Sequence, residues 1–309
     1  MVVYVLKRFI WMLFTLLIIV TLTFFLMHAI PGNPISNEQS MTPAIYQNML
    51  HYYHLDRPLI VQYLDYLKSL MHGQLGPSIE YQNRSVNQII GQGFPVSAQI
   101  GLWAISIAFV LGVLFGVIGA VKQNGWQDYS AMILAILGIS IPNFVLATLL
   151  INYLGVVWGI LPSAGWGTPQ QEIMPILALA VTPMAYFARL MRTSMLEVLQ
   201  QDYVRTARAK GLNFSYTILK HTIRNAILPV LTMLGPLAAY ILTGSFVIEK
   251  IFGIPGMGQL YVTAIDNRDY PLILGTTIFF SAVLIFILFL VDTAYAYVDP
   301  RIQLTGRRS

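Results

Sequence analysis

The sequence predicts an all-α integral membrane protein of about six transmembrane helices, and three observations carry that prediction. Of the 309 residues, 56% are hydrophobic and only 10% are charged, which is more apolar surface than a soluble core can hide. The apolar residues gather in runs long enough to cross the roughly 30 Å of hydrocarbon in a bilayer. None of these runs alternates with a period of two, so a β-barrel is excluded. A helix is then the way each run satisfies its backbone hydrogen bonds in lipid.

The first run, Phe9 to Ile30, follows Lys7-Arg8 and carries only His28 as a titratable group. It exceeds a signal-peptide core and no small-residue cleavage site follows it, so it is expected to be a retained span. Val96 to Val121 is free of charge, as is Tyr129 to about Leu154, which contains Pro142. Ile173 to Ala188 is shorter and carries Pro175 and Pro183; Ala226 to Ile248 carries Pro229 and Pro236; Pro271 to Val291 is the last. Pro142, Pro183 and Pro236 lie away from span ends, and Gly112 and Gly116 form a small-xxx-small face. Such prolines free backbone groups and kink helices, while small residues let helices approach closely. The expected division is an N-terminal tail and first span (1–30), an extracytoplasmic segment (31–95), a transmembrane core (96–298) and a short cytoplasmic tail (299–309).

Cysteine is absent, which removes disulfides, thiol nucleophiles and Cys-based metal sites. The formal charge of +5 does not point to nucleic acid, because the basic residues sit between apolar runs, as membrane orientation requires. With six spans and the N-terminus inside, the inner segments hold Lys7, Arg8, Lys122, a central basic loop, Arg301, Arg307 and Arg308. The outer segments hold Arg57, Lys68, Arg84, Lys250 and Arg268. Counted over the short loops, both termini are expected to be cytoplasmic.

The outer segment between Pro31 and Pro95 is too long for a simple turn. Asp56-Arg57-Pro58 reads as a helix start. Ile60, Tyr63, Leu64, Leu67 and Met71 then share one helical face, and Gly73 ends the run. The segment is expected to be either a small helical cap over the outer mouth or an ordered connector.

The longest polar interruption of the C-terminal two-thirds begins at Arg189 and ends at Pro229. It holds Arg189, Arg192, Arg205, Arg208, Lys210, Lys220 and Arg224 against only two acids, Glu197 and Asp202. Asp202 to Lys210 is helix-forming, with the small Ala207 and Ala209, and Gly211 closes it with the residue that admits a left-handed backbone. A second helical stretch, Phe214 to Asn225, leads into Leu228-Pro229. Helix, glycine turn and helix make an elbow that could enter a partner's groove, with basic side chains pairing to acids there.

This wording resembles the cytoplasmic coupling loop of ABC importer permeases, whose signature is Glu-Ala-Ala, three residues, Gly, and later Ile-x-Leu-Pro. Here Arg205-Thr206-Ala207 stands for Glu-Ala-Ala, and the distance from Gly211 to Pro229 is longer than in the general signature. Both departures are similar to the oligopeptide, dipeptide and nickel permeases, in the runs Asp202 to Gly211 and Arg224 to Pro229. The resemblance to their B-type subunit continues through Phe24 to Pro34, Tyr53 to Leu59, Gly73 to Gly76, Glu249 to Gly258 and Asn267 to Pro271. It implies a type I ABC importer permease fold and a non-catalytic subunit in a prokaryotic cell membrane. It further implies pairing with a homologous C-type permease, docking of two ATP-binding cassette subunits, and delivery of peptide by an extracytoplasmic binding protein. It gives Asp202, Arg205, Thr206, Ala207, Lys210 and Gly211 the coupling role. The chain has no phosphate-loop motif, so ATP and its Mg²⁺ are expected on the partner subunits, and no cofactor is expected in this chain.

Other residues invite narrower readings. Glu249 and Lys250 either contact the binding protein or are solvated and mark the membrane edge. His51 and His54 lack a third ligand in view and are expected to be surface residues. Asp292, near Asp299 and Arg301, is expected to hold an interfacial ion or hydrogen-bond partner rather than relay protons. Asn143 either lines the path or bonds a neighbouring helix. No catalytic motif supports an enzyme. Import of dipeptides, nickel or another small solute is the nearest alternative to oligopeptide import. A channel or scaffold is the alternative of a different class, although no charge ring or filter-like repeat is present.

Overall fold

The computed structural model describes residues 2–29, 42–81, 83–242 and 246–298. Among them the regular structure is helical: α1 Val2–Ala29, α2 Pro43–Tyr52, α3 Leu59–Met71, α4 Val86–Val121, α5 Trp126–Ser140, α6 Asn143–Leu150, α7 Pro169–Leu199, α8 Asp202–Ala209, α9 Phe214–Tyr216, α10 Ile223–Leu242, α11 Phe246–Phe252, α12 Met257–Asp266 and α13 Tyr270–Val298. Wider π-helical turns continue α6 through Ile151–Val157 and join α9 to α10 through Thr217–Thr222. Among the described residues five helical stretches, one of them Phe214–Leu242 running from α9 through α10, are long and apolar enough to cross a membrane, or up to six if the bent pair of α5 and the helix after it is taken as one span.

The chain forms two compact units, one of Met1–Ser97 with Pro255–Phe289, the other of Ala98–Ile254 with Leu290–Ser309. In the second unit α7 is the spine. It is longer than the Ile173 to Ala188 run because it continues through Leu199 into what the sequence marks as the basic loop. Its polar inner end stays helical, with none of its last turns holding proline or glycine.

Glycines let α4 lie directly on α7. A Cβ on Gly112 would stand 2.7 Å from the Met184 carbonyl oxygen, and one on Gly116 would stand 2.6 Å from that of Ala188. The contact advances in the same direction along both helices, so α4 and α7 are parallel. On another side, Gly138 of α5 meets Val181 and Ala185. The α5–α7 contacts run in opposite directions, so that pair is antiparallel. Gln99 donates to both carboxylate oxygens of Glu172 at 3.0 Å, joining α4 to α7 at the end remote from the elbow.

The third apolar run is not one straight span. α5 and the helix following it are bent by 101°. Pro142 cannot donate a backbone hydrogen bond, and the residue before a proline is driven out of the α region; Ile141 accordingly lies at φ −87°, ψ 117°. The missing N–H would have served the Gly138 carbonyl. Thr182 of α7 donates to that oxygen instead, at 3.2 Å, so the break leaves no orphan at this position in an environment without water.

In the first unit α3 forms where expected and ends at Gly73 with φ +71°. Its inward side agrees with the face read from the sequence at Tyr63 but not at most of its aliphatic members. Ile60, Leu64 and Met71 remain exposed, whereas Tyr63 and Tyr66 stack toward Phe24 at ring distances of 5.4 and 6.1 Å. The Tyr63 and Thr21 hydroxyls lie 2.7 Å apart. Large rings bury more area than the aliphatic side chains, so they decide the rotation of the helix; the Tyr63 hydroxyl has its partner, whereas the buried Tyr66 hydroxyl has none among the described residues. Burial pushes the Tyr66 phenol well above its ordinary pKa, which keeps it neutral. Asp269, fully buried, accepts from Ser78 Oγ, from the Glu80 amide at 3.3 Å and from the Leu272 amide at 3.1 Å. It therefore caps α13 and holds the turn around residues 77–85.

Candidate functional site

The elbow lies between the ends of α7 and α10. Gln201 occupies the N-cap in extended backbone, and α8 runs for two turns with Asp202 in its first, where a carboxylate suits the helix dipole. Gly211 has φ +82°. Its amide donates to the Arg208 carbonyl at 2.9 Å, and the Leu212 amide donates to that of Ala207 at 3.3 Å. These two bonds define a Schellman closure, which requires a left-handed residue at Gly211. Asn213 then begins the next helix, its side chain accepting from the Ser215 amide at 3.2 Å.

The two faces of α8 differ. Val204 and Ala207 are buried, whereas Asp202, Arg205, Thr206, Ala209, Lys210 and Gly211 are exposed. Ala207 therefore packs against its own chain and does not present a small surface to a partner. A helix of two turns needs an inward face, and the i, i+3 pair of apolar residues supplies it. The outward face is basic, with one acid.

Further contacts stiffen the elbow. The Asn225 side-chain amide donates to the Tyr203 hydroxyl at 2.8 Å, tying α8 to α10. Arg208 lies 5.0 Å over the Phe214 ring, and Lys220 lies 5.2 Å over that of Tyr216, distances at which the ring quadrupole attracts a cation. Tyr203, Phe214, Tyr216 and Asn225 have no place in the sequence reading beyond the shared wording; an aromatic spaced against a nearby cation was the available signal. Arg192 departs from the expectation that the loop's cations are free for a partner. Its guanidinium grips Asp128, Nε to Oδ1 at 2.5 Å and Nη2 to Oδ2 at 2.7 Å. Lys122 and the inner end of α4 lie at this same end of the unit, as the charge distribution requires of a single membrane side.

Comparison with known proteins decides the family. Residues 112–304 match "Binding-protein-dependent transport system inner membrane component", and residues 1–100 match the N-terminal part of the same kind of membrane component. The chain belongs to this family. It is a multi-pass inner membrane permease. It is 56% identical over 301 residues to the dipeptide transport system permease protein DppB of Bacillus subtilis, covering 97% of this chain and 98% of that one. Identity to the oligopeptide transport system permease protein OppB of Escherichia coli is 44% over 302 residues, covering 97% and 99%. Identity to DppB of Lactococcus lactis is 45% over 304 residues, covering 98% and 100%.

Among solved structures, the fold is similar to the inward-facing MetNI methionine ABC transporter. That match has a TM-score of 0.54 at 18% identity, over 68% of this chain and 94% of that one. An amino acid ABC transporter matches with a TM-score of 0.53 at 17% identity, over 70% and 94%.

The remaining candidates separate within the permease. Glu249 is buried at 3% exposure and so is not the solvated marker of a membrane edge, whereas Lys250 beside it is exposed. One turn of α11 places adjacent residues on different faces, and the carboxylate takes the inner one. His51 pairs with Asp56 at 2.7 Å rather than with His54. Among the described residues there is no cluster of three metal-ligating side chains. Asn143 begins α6, half-buried, and makes no side-chain hydrogen bond to a described residue. The side chain of Asp292, and all of Asp299 and Arg301, lie outside the described residues.

Proposed function

We propose that this permease is one half of the translocation path of an ATP-driven peptide importer, and that its elbow receives movement from an ATP-binding cassette subunit. The observation that carries the reading is the elbow itself: a Schellman-closed helix in a chain of this family, with Arg205, Thr206 and Lys210 outward and Ala207 inward. The outward cations suit acids on a partner's groove. Gly211 sets the turn, and Asp202 favours the start of α8. A homologous C-type permease forms the other half, two ATP-binding subunits hold ATP and Mg²⁺, and an extracytoplasmic binding protein delivers cargo. Lys250 is the exposed residue of the Glu249-Lys250 pair for that contact.

The functional division we propose is the first span, the outer segment to residue 95, the permease core to 298 and the tail beyond. Closure of the ATPases moves the elbows as rigid bodies and alternates the side to which the path opens.

Oligopeptides are the cargo that the wording of the loop favours. Dipeptides are a second reading, favoured by 56% identity to a dipeptide permease against 44% to an oligopeptide one. The experiment is uptake of labelled peptides of graded length by proteoliposomes containing the complete complex. ATP-dependent uptake that peaks at a stated length supports the reading and fixes the cargo. A purified complex without an ATPase touching the elbow would refute it.

A further inference from the structure

The reading of the elbow leaves open how its displacement reaches the rest of the membrane part. Asp128 and Arg192 form a bidentate ion pair in the second unit. The Asp128 side chain is 3% exposed and that of Arg192 23% exposed. Both carboxylate oxygens are engaged by the guanidinium fork, and the Asn124 amide donates to Oδ2 at 3.0 Å. A Cβ on Gly119 would stand 3.2 Å from Asp128 Oδ1 and 3.5 Å from Arg192 Cδ. The inner end of α4, the turn after it, the start of α5 and α7 therefore converge on one ion pair.

A second tie lies further along the same two helices, the hydrogen bond from Thr182 to the Gly138 carbonyl. Asp128 to Gly138 and Arg192 to Thr182 are equal steps in residue number, taken in opposite directions on the antiparallel helices. Each step is about 15 Å at the rise of an α-helix. Between the ties, buried Ala131, Ala135 and Ala185 keep the seam thin. Two ties at matched separation remove both sliding and rotation of α5 against α7. Beyond Arg192, α7 continues helically to Leu199, and α8 begins at Asp202.

We propose that Asp128 and Arg192 are positioning residues that lock α5 to α7, so that displacement of the elbow carries α5, and with it the bent segment that follows, as one body. This rests on the elbow reading above. An ion pair suits the role because loss of the guanidinium leaves the buried Asp128 charge uncompensated. A bidentate guanidinium also fixes orientation, which a lysine at the same place would not.

The test uses the complete complex in proteoliposomes, measuring peptide taken up and ATP hydrolysed in the same vesicles. Asp128→Asn is expected to lower peptide imported per ATP by roughly tenfold, within the range typical of coupling between sites. Arg192→Lys keeps the charge but not the fork, and is expected to fall between that variant and the parent protein. It carries the test should Asp128→Asn fail to assemble. A merely structural role would lower the amount of complex and leave the ratio unchanged. An unchanged ratio in whichever variant assembles therefore overturns the proposal. Crosslinking of Lys210→Cys to an ATPase subunit, measured in parallel, separates the two readings. With the crosslink present and the ratio unchanged, only the locking role falls; without the crosslink, the elbow reading falls with it.

Discussion

Replacing Gly211 tests the elbow with few competing effects. No atom lies within 4 Å of where a Cβ would stand, so a side chain there meets no clash, and its φ of +82° is the source of strain. A left-handed backbone costs a residue with a Cβ about 1–2 kcal/mol, and β-branching makes it worse. The alternative is to let the turn relax. Relaxation sacrifices the bonds from Gly211 to Arg208 and from Leu212 to Ala207. A cost of about 1–2 kcal/mol corresponds to a factor of roughly 5–30 between the closed and open turn. Asparagine tolerates this region better than other residues with a Cβ. The expected order of ATP-coupled uptake is therefore Gly, then Asn, then Ala, then Val, with membrane insertion unchanged throughout. Initial uptake rates in proteoliposomes, normalised to assembled complex, give the order directly. Val equal to Gly, or Asn as poor as Val, would refute the reasoning.

Three other tests probe different parts of the permease. Gly116→Leu would put a Cβ 2.6 Å from the Ala188 carbonyl oxygen and is expected to cut the yield of folded protein in detergent. Gly91→Leu, with nothing within 4 Å, is the neutral control. Lys210→Cys should react with an impermeant thiol reagent from the cytoplasmic face of inverted vesicles, whereas Ala207→Cys, buried at 7% exposure, should react far more slowly. Labelling of Lys210→Cys from outside intact cells would reverse the topology. Thr182→Val leaves the Gly138 carbonyl without its donor and is expected to cost about 1–3 kcal/mol, read as a lowered thermal midpoint that Thr182→Ser restores.

Length, charge and apolar runs were enough to place the spans, because lipid allows so few backbone solutions. Gly211 was legible for the same kind of reason: one backbone conformation favours one residue. The length of α7 was not legible, because a helix that leaves its apolar stretch keeps going when nothing in its sequence stops it. The face of α8 that turns inward depends on what α7 and the turn Thr217–Thr222 offer it, and no local pattern in Asp202 to Lys210 says so. Asp128 was hidden by its position immediately before a charge-free run, where an acid reads as a membrane edge. Its partner is distant in sequence, and only the antiparallel packing of α5 on α7 brings the two together.

The tie between Thr182 and Gly138 has a bearing on how the hydrocarbon interior can deform. A hydroxyl turns about a single bond, and within a helix its other natural acceptor is the carbonyl four residues earlier, here Ala178. A proton that moved to Ala178 would leave the Gly138 oxygen bare where no bulk solvent can serve it, so the bend after Pro142 keeps its angle while this bond holds. A bend of this kind holds dry.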